Sequence, residues 1–171
     1  MSILPASKQD VPALVVLMDE AYRSKSSGQL DWASESDLFI GNKRTDEETV
    51  AKLMDNSDAV FYKYINEEAH IEGCVFLQKK NNRLYLGMLS VSPFAQGKGI
   101  GKQLLNAANQ YAKEQNCFSI YMTVITIRTG LIEWYERHGY KKTGEVIPFP
   151  IEEKFGIPKQ PLELLILEKV V

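Results

Sequence analysis

The stretch SVSPFAQGKGIGKQLLNAANQ, residues 90–110, places three glycines and two lysines between the end of an apolar run and a helix-periodic segment. The run stops at Ser92-Pro93, because proline lacks the N–H that a sheet ladder needs and biases its predecessor toward extended geometry. Beyond the glycines, Ile100, Leu104, Ala108, Tyr111 and Ala112 fall on one helical face. Glycines alternating with basic residues at the mouth of a helix suit an anion, since the first helical N–H groups have no intrahelical partner and carry the positive end of the dipole. A mononucleotide loop would need GxxxxGK followed by Ser or Thr, but Gln96 and Gln103 stand at the first and last of those positions. A dinucleotide fingerprint would need glycine where Lys102 stands. What is present is QxxGxG, from Gln96 through Gly99 to Gly101.

Upstream of this turn the period is that of strands: AVFYKYI from residue 59, then IEGCVFLQ, then RLYLGMLSV, joined by the polar turns NEEA and KKNN. Three sequential strands with short turns predict an antiparallel meander. Downstream, a helix ending near Asn116 leads to the buried strand FSIYMTV, and strand, helix, strand makes a right-handed βαβ unit. A shorter helix ends in WYERHGY, where Gly139 suits the left-handed position after the helix and Tyr140 packs back on Trp134 or Tyr135. A strand around 140–147, the loop PFPIEEKFGIPKQP and a last strand LELLILEK complete the chain. At the other end a short apolar start (Ile3, Leu4) precedes a helix with Asp10 as its N-cap, Pro12 in the first turn, and Val11, Leu14, Val15, Met18, Ala21 and Tyr22 on one face. Thr45 and Glu48 form a capping box for a second helix with Val50, Leu53 and Met54 inward. Between them lies a polar segment, residues 23–44, that carries Trp32, Phe39 and Ile40 and so must fold back onto something. The fold class is α+β, with a mixed, mostly antiparallel central sheet flanked by helices.

A chain of 171 residues, 44% hydrophobic, suits one domain over residues 1–171. Its 20 basic and 22 acidic residues exert no global pull toward nucleic acid, and no apolar window approaches a membrane span. The opening MSILPASKQD has neither a basic nor a long apolar leader region, so a soluble, cytoplasmic protein is expected. Cys74 and Cys117 sit apart in apolar runs, without metal-ligand spacing, and read as buried free thiols; no metal is expected.

The element order, the QxxGxG turn after LSVSP, and WYERHGY about forty residues later together resemble the Gcn5-related N-acetyltransferase family, in motif detail over roughly residues 59–147. That resemblance implies acetyl-CoA as acetyl donor, held in a cleft where the strand at 118–124 splays away from its neighbour. It implies backbone bonds from Leu89, Ser90 and Val91 to the pantetheine arm, which resembles a short extended peptide. It also implies a pyrophosphate cradle from Gln96, Gly97, Lys98, Gly99, Ile100, Gly101 and Lys102. Tyr135 stands where the family often places a tyrosine beside the CoA sulfur, able to protonate the departing thiolate; the competing reading is an aromatic packed between Trp134 and Tyr140.

Two positions depart from the family pattern. Arg128 stands where many relatives carry an Asn that contacts pantetheine, so it reaches either a CoA phosphate or the acceptor. Tyr85 stands where some relatives carry a glutamate base, which leaves Asp31, Glu35 or a water relay past Tyr85 to take the ammonium proton. The implied activity is direct acetyl transfer to a primary amine, of a small molecule or amino-acid-like metabolite, with a peptide or protein amine, or a non-catalytic acyl-CoA sensor, as alternatives. The proline-rich loop at 148–161 is long enough to serve as a lid or an interface, and the resemblance allows a homodimer.

Overall fold

The computed structural model describes residues 2–23, 38–40 and 43–171. Asp31, Trp32 and Glu35 lie outside the described residues. A short strand β1 (Ser2–Pro5) leads through one 3-10 turn into α1 (Val11–Arg23), followed by β2 (Phe39–Ile40) and α2 (Glu47–Met54). The meander is β3 (Ala59–Ile65), β4 (Ile71–Lys80) and β5 (Arg83–Val91), and then α3 (Ile100–Glu114), β6 (Ser119–Ile125) and α4 (Thr129–Arg137) follow. The chain ends with β7 (Lys141–Pro148), the two-residue β8 (Ile157–Pro158) and β9 (Glu163–Val170).

Among the described residues seven strands form one sheet in the order β1-β3-β4-β5-β6-β9-β7, in which only β5 and β6 run parallel. This is the mixed, mostly antiparallel sheet that the turn signals predict. Period-two alternation divides the core between its faces. Leu84, Leu86 and Leu89 of β5 pack with Leu104 and Ala108 of α3 and Ile132 of α4, whereas Phe61, Cys74 and Phe76 pack with Leu14, Met18 and Val50 of α1 and α2. The two buried cysteines are free thiols. Gly139 takes φ +95°, and the Tyr135 and Tyr140 rings meet edge to face at 5.8 Å, the helix ending read from WYERHGY.

Both N-terminal caps differ from the sequence reading. Asp10 is not the cap of the first helical segment. Ser7 is, and the Asp10 carboxylate accepts from the Ser7 N–H at 2.8 Å, because a 3-10 turn at Lys8–Asp10 extends the helix one turn upstream of Pro12. In α2 the cap is Asp46, whose carboxylate accepts from Thr49 N–H at 2.8 Å, and Thr45 is buried instead. Phe39 does fold back: it is 3% exposed, stacks on Phe149 at 5.4 Å, and its strand β2 pairs with β8. That pairing joins the segment before α2 to the proline-rich loop.

Candidate active site

The cleft begins where a ladder stops. β5 and β6 are paired only at Arg83–Ser119, Leu84–Ile120 and Tyr85–Tyr121, after which both continue unpaired with each other. On its other edge β5 slips register against β4, so that Cys74 faces Ser90 but Phe76 faces Gly87. The extra residue is a bulge at Met88, which adopts φ +53°. Past the bulge, Ser92 N–H bonds to the Glu72 carbonyl at 2.8 Å, so by strand alternation Ser90 also turns its backbone toward β4 while Leu89 and Val91 turn theirs into the open cleft. The Ser90 hydroxyl donates to the Met88 carbonyl at 3.0 Å, and the Cys74 thiol approaches the same oxygen at 3.7 Å. Burial pushes that thiol up to about 12, so it is a packing and positioning group, not a nucleophile. On the cleft side the Tyr22 hydroxyl, from α1, donates to the Leu89 carbonyl.

At the end of β5 the chain makes a 3-10 turn over Pro93–Ala95, pinned by the Ser92 hydroxyl accepting from Phe94 N–H at 3.3 Å. Gly97 and Gly99 then take φ +83° and +75°, conformations that side chains resist. A Cβ added at either would meet nothing within 4 Å, so the backbone here faces open space. The first intrahelical bond of α3 runs from Gln103 N–H to the Gly99 carbonyl at 3.1 Å, which leaves the N–H groups of Ile100, Gly101 and Lys102 ahead of the ladder. Lys98 and Lys102 are exposed beside them, Lys98 lying 4.0 Å from the Glu72 carboxylate.

Arg128 caps α4, and its carbonyl accepts from Ile132 N–H at 3.0 Å. One face of α4 turns Tyr135 to the cleft, 5% exposed. Burial holds its phenol well above the ordinary value near 10, the neighbouring Tyr22 and Tyr140 add to this, and Arg128 opposes it. Tyr135 therefore keeps its proton across the physiological range, the state a proton donor needs.

A cavity of about 260 Å³ runs through the gap between β5 and β6 and joins the two faces of the sheet. Leu131 and Tyr135 line it from the α4 side, Tyr22, Arg23, Phe39 and Arg44 from the α1 side, and Phe149, Glu152 and Phe155 from the proline-rich loop. The wall is tied by Arg23, which is 5% exposed: its guanidinium donates to the carbonyls of Lys43 and Phe155 and lies 3.9 Å from the Phe39 ring centroid. The Asp19 carboxylate accepts from the backbone N–H groups of Arg44 and Thr45, and Lys154 reaches Asp46 at 3.4 Å. Tyr85 lies along the same face with Thr123 beside it in the cavity lining, and a Cβ at Gly87 would fall 2.8 Å from the Tyr85 hydroxyl. Burial raises the Tyr85 phenol too, against the opposing influence of Arg44 and Thr123, so it keeps its proton and is not a resident base.

The structure thus brings Leu89, Val91, Tyr85, Arg128 and Tyr135 to one cleft with the glycine loop at the far end of β5. Arg23, Arg44, Tyr22 and Glu152 also belong to it, and the sequence reading missed them as site residues. Gly87 carried a usable signal, since an isolated glycine inside a strand pattern marks a bulge or a close approach. No cluster of three metal-ligating side chains occurs among the described residues, and no helix among them is long and apolar enough to cross a membrane.

The sheet is thus split at one parallel pair, with a glycine turn opening a helix beside the split. The Acetyltransferase (GNAT) family profile matches residues 18–140, and the chain belongs to that family. It is 34% identical over 68 residues to the spermine/spermidine N(1)-acetyltransferase of Bacillus subtilis, a match covering 39% of this chain and 45% of that protein. The chain thus matches less than half the length of that relative. Among solved structures, the ribosomal-protein-alanine N-acetyltransferase of Brucella melitensis superposes with a TM-score of 0.73 at 19% identity, covering 100% of both chains. The PaiA N-acetyltransferase of Thermoplasma acidophilum, solved in complex with coenzyme A, gives 0.70 at 18%, again covering 100% of both.

Proposed function

We propose that this protein transfers the acetyl group of acetyl-CoA directly to the primary amine of a small molecule. The observation that carries the reading is the coincidence, along one cleft, of strand backbone at Leu89 and Val91 that no neighbouring strand pairs, a helix mouth with N–H groups ahead of the ladder, and a protonated phenol at Tyr135. An extended, amide-bearing arm pairs with such a strand, and a pyrophosphate suits the N–H groups from Gly97 to Lys102. Acetyl-CoA supplies the activated acetyl thioester. The amine nitrogen attacks the thioester carbonyl carbon and the C–S bond breaks: the Leu89 N–H faces the cleft to meet the developing oxyanion, the proton released by the amine passes to solvent water, and Tyr135 donates its proton to the departing thiolate and recovers one from solvent. Ser90 serves this site through its hydroxyl, which holds the Met88 carbonyl and so the bulge.

A small acceptor is supported by the wall of Phe39, Phe149 and Phe155, which closes over the α1 side of the gap where a peptide acceptor would need an open groove. A non-catalytic acyl-CoA sensor would have no use for that second compartment. The polyamines named for the Bacillus relative are one member of the small-amine class. Calorimetric titration with acetyl-CoA and, separately, ATP, followed by thiol-release assays over a panel of amines, tests the proposal. Acetyl-CoA binding with amine-dependent thiol release is expected. Preference for ATP, or absence of acetyl-CoA binding, overturns it.

A further inference from the structure

We propose that Arg44 selects the acceptor by binding a carboxylate carried beside its primary amine, so that the substrates are small amino acids; this rests on the acetyltransferase reading above. Among the described residues the cavity is lined by three arginines, Arg23, Arg44 and Arg128, and one carboxylate, Glu152. The three cations have different employment. Arg23 is committed to the carbonyls of Lys43 and Phe155 and to the face of Phe39, and so holds the wall together. Arg128 stands at the start of α4, next to Tyr135 on the opposite side of the gap.

Arg44 is placed to read a ligand. Its main chain is fixed, because the Asp19 carboxylate takes the N–H groups of Arg44 and Thr45, and that bond leaves the guanidinium itself uncommitted. The guanidinium lies 5.3 Å from the centroid of Tyr22 and close enough to Tyr85 to act on its phenol. Contact with a ring occupies the face of a guanidinium and leaves its edge donors, the fork that matches a carboxylate in two parallel bonds. No carboxylate among the described residues forms an ion pair with it: Asp19 and Asp46 accept from backbone N–H groups, and Asp46 also pairs with Lys154.

Tyr22 also sets the distance. Its hydroxyl bonds to the Leu89 carbonyl, the strand position at which acetyl transfer is proposed. A carboxylate held by Arg44 is then about one aromatic ring away from that point, the reach of a short amino acid whose amine points at β5. Polycations meet the opposite environment, with three guanidinium groups against one carboxylate among the described residues.

The test compares matched acceptors at saturating acetyl-CoA on the full chain: an α-amino acid, its amide, the corresponding decarboxylated amine, and spermidine. The acid should exceed its amide and its decarboxylated amine by about tenfold or more in kcat/KM, as loss of a charge-assisted bidentate bond implies. Arg44→Gln, which keeps the backbone bonds to Asp19, should collapse that ratio toward one through KM, and Arg44→Lys should restore part of it. Spermidine or the amide equalling the acid in the wild-type protein overturns the assignment. So does a ratio that survives Arg44→Gln. Thiol release with none of the acceptors, despite acetyl-CoA binding, instead removes the acetyltransferase reading on which the assignment rests.

Discussion

An alanine at position 87 would place its methyl group 2.8 Å from both Cε2 and Oη of Tyr85 and 3.0 Å from Cζ. The backbone offers no resistance, since Gly87 is not among the glycines with positive φ. The ring must therefore move. It is held by Tyr121 at 5.5 Å and by Phe76 at 6.4 Å between centroids. Forcing a packed ring aside costs about 1–3 kcal/mol, which for a chain of this size lowers Tm by roughly 3–10 °C. In a Tyr85→Ala background the methyl has nothing to strike, and because alanine restricts the unfolded chain more than glycine, the substitution should stabilise by about 0.4–1 kcal/mol. Urea denaturation of the four proteins of this cycle gives the coupling directly, expected at about 1.4–4 kcal/mol. An equal cost for Gly87→Ala with and without the Tyr85 ring refutes the reasoning.

Tyr135→Phe keeps the edge-to-face contacts with Trp134 and Tyr140 at 5.1 and 5.8 Å but removes the proton; turnover should fall by about a hundredfold or more while calorimetric affinity for acetyl-CoA holds, and unchanged turnover means that Tyr135 is not the acid. Gly99→Asp sets a carboxylate and a strained φ of +75° at the helix mouth and should abolish acetyl-CoA binding by calorimetry, whereas retained affinity moves the phosphate site elsewhere. The Tyr140 hydroxyl is buried without a hydrogen-bond partner, so Tyr140→Phe should raise Tm by a few degrees, and a lower Tm shows that the hydroxyl has a use. Burial raises the phenols of Tyr135 and Tyr140 above their ordinary value, so the stability these two contribute is full below the unfolded pKa of about 10 and is lost as pH rises through the higher folded values. Urea midpoints should accordingly begin to decline near pH 8.5, where the buried Cys74 thiol starts to titrate in the unfolded chain, and fall faster above about pH 10 as the phenols join, less steeply in Tyr140→Phe; a decline that begins below neutrality would assign it to other groups.

The meander and the glycine turn were legible because their signals are local: alternation sets each strand, and Pro93 and Gly139 punctuate them. The caps were misread for an equally local reason. Ser7, Asp10, Thr45 and Asp46 are all residue types that cap helices, and a 3-10 turn before Pro12 carries no separate pattern. Arg23 and Arg44 were not legible as site residues. Arg23 reads as a cation complementing the end of α1, and only the return of the loop at Phe155, far along the chain, gives its guanidinium buried carbonyls to hold. Glu152 is one of two adjacent acids in an irregular loop, and no period distinguishes the one that lines the cavity. The motif alone does not reveal why Ser90 is a serine, because its hydroxyl answers a carbonyl released by a bulge two residues earlier.

The three-rung ladder between β5 and β6 has a consequence for the lifetime of the chain. Without a ligand, the sheet carries two raw borders in its interior, of the kind that natural proteins cap at their margins because any extended polypeptide can zip onto them. A donor lying along β5, as proposed, would seal that seam and bind the folded chain alone, and at a hundredfold excess over Kd would add about 2.7 kcal/mol of stability. The supply of acetyl-CoA would then govern how long the protein survives as well as how fast it works.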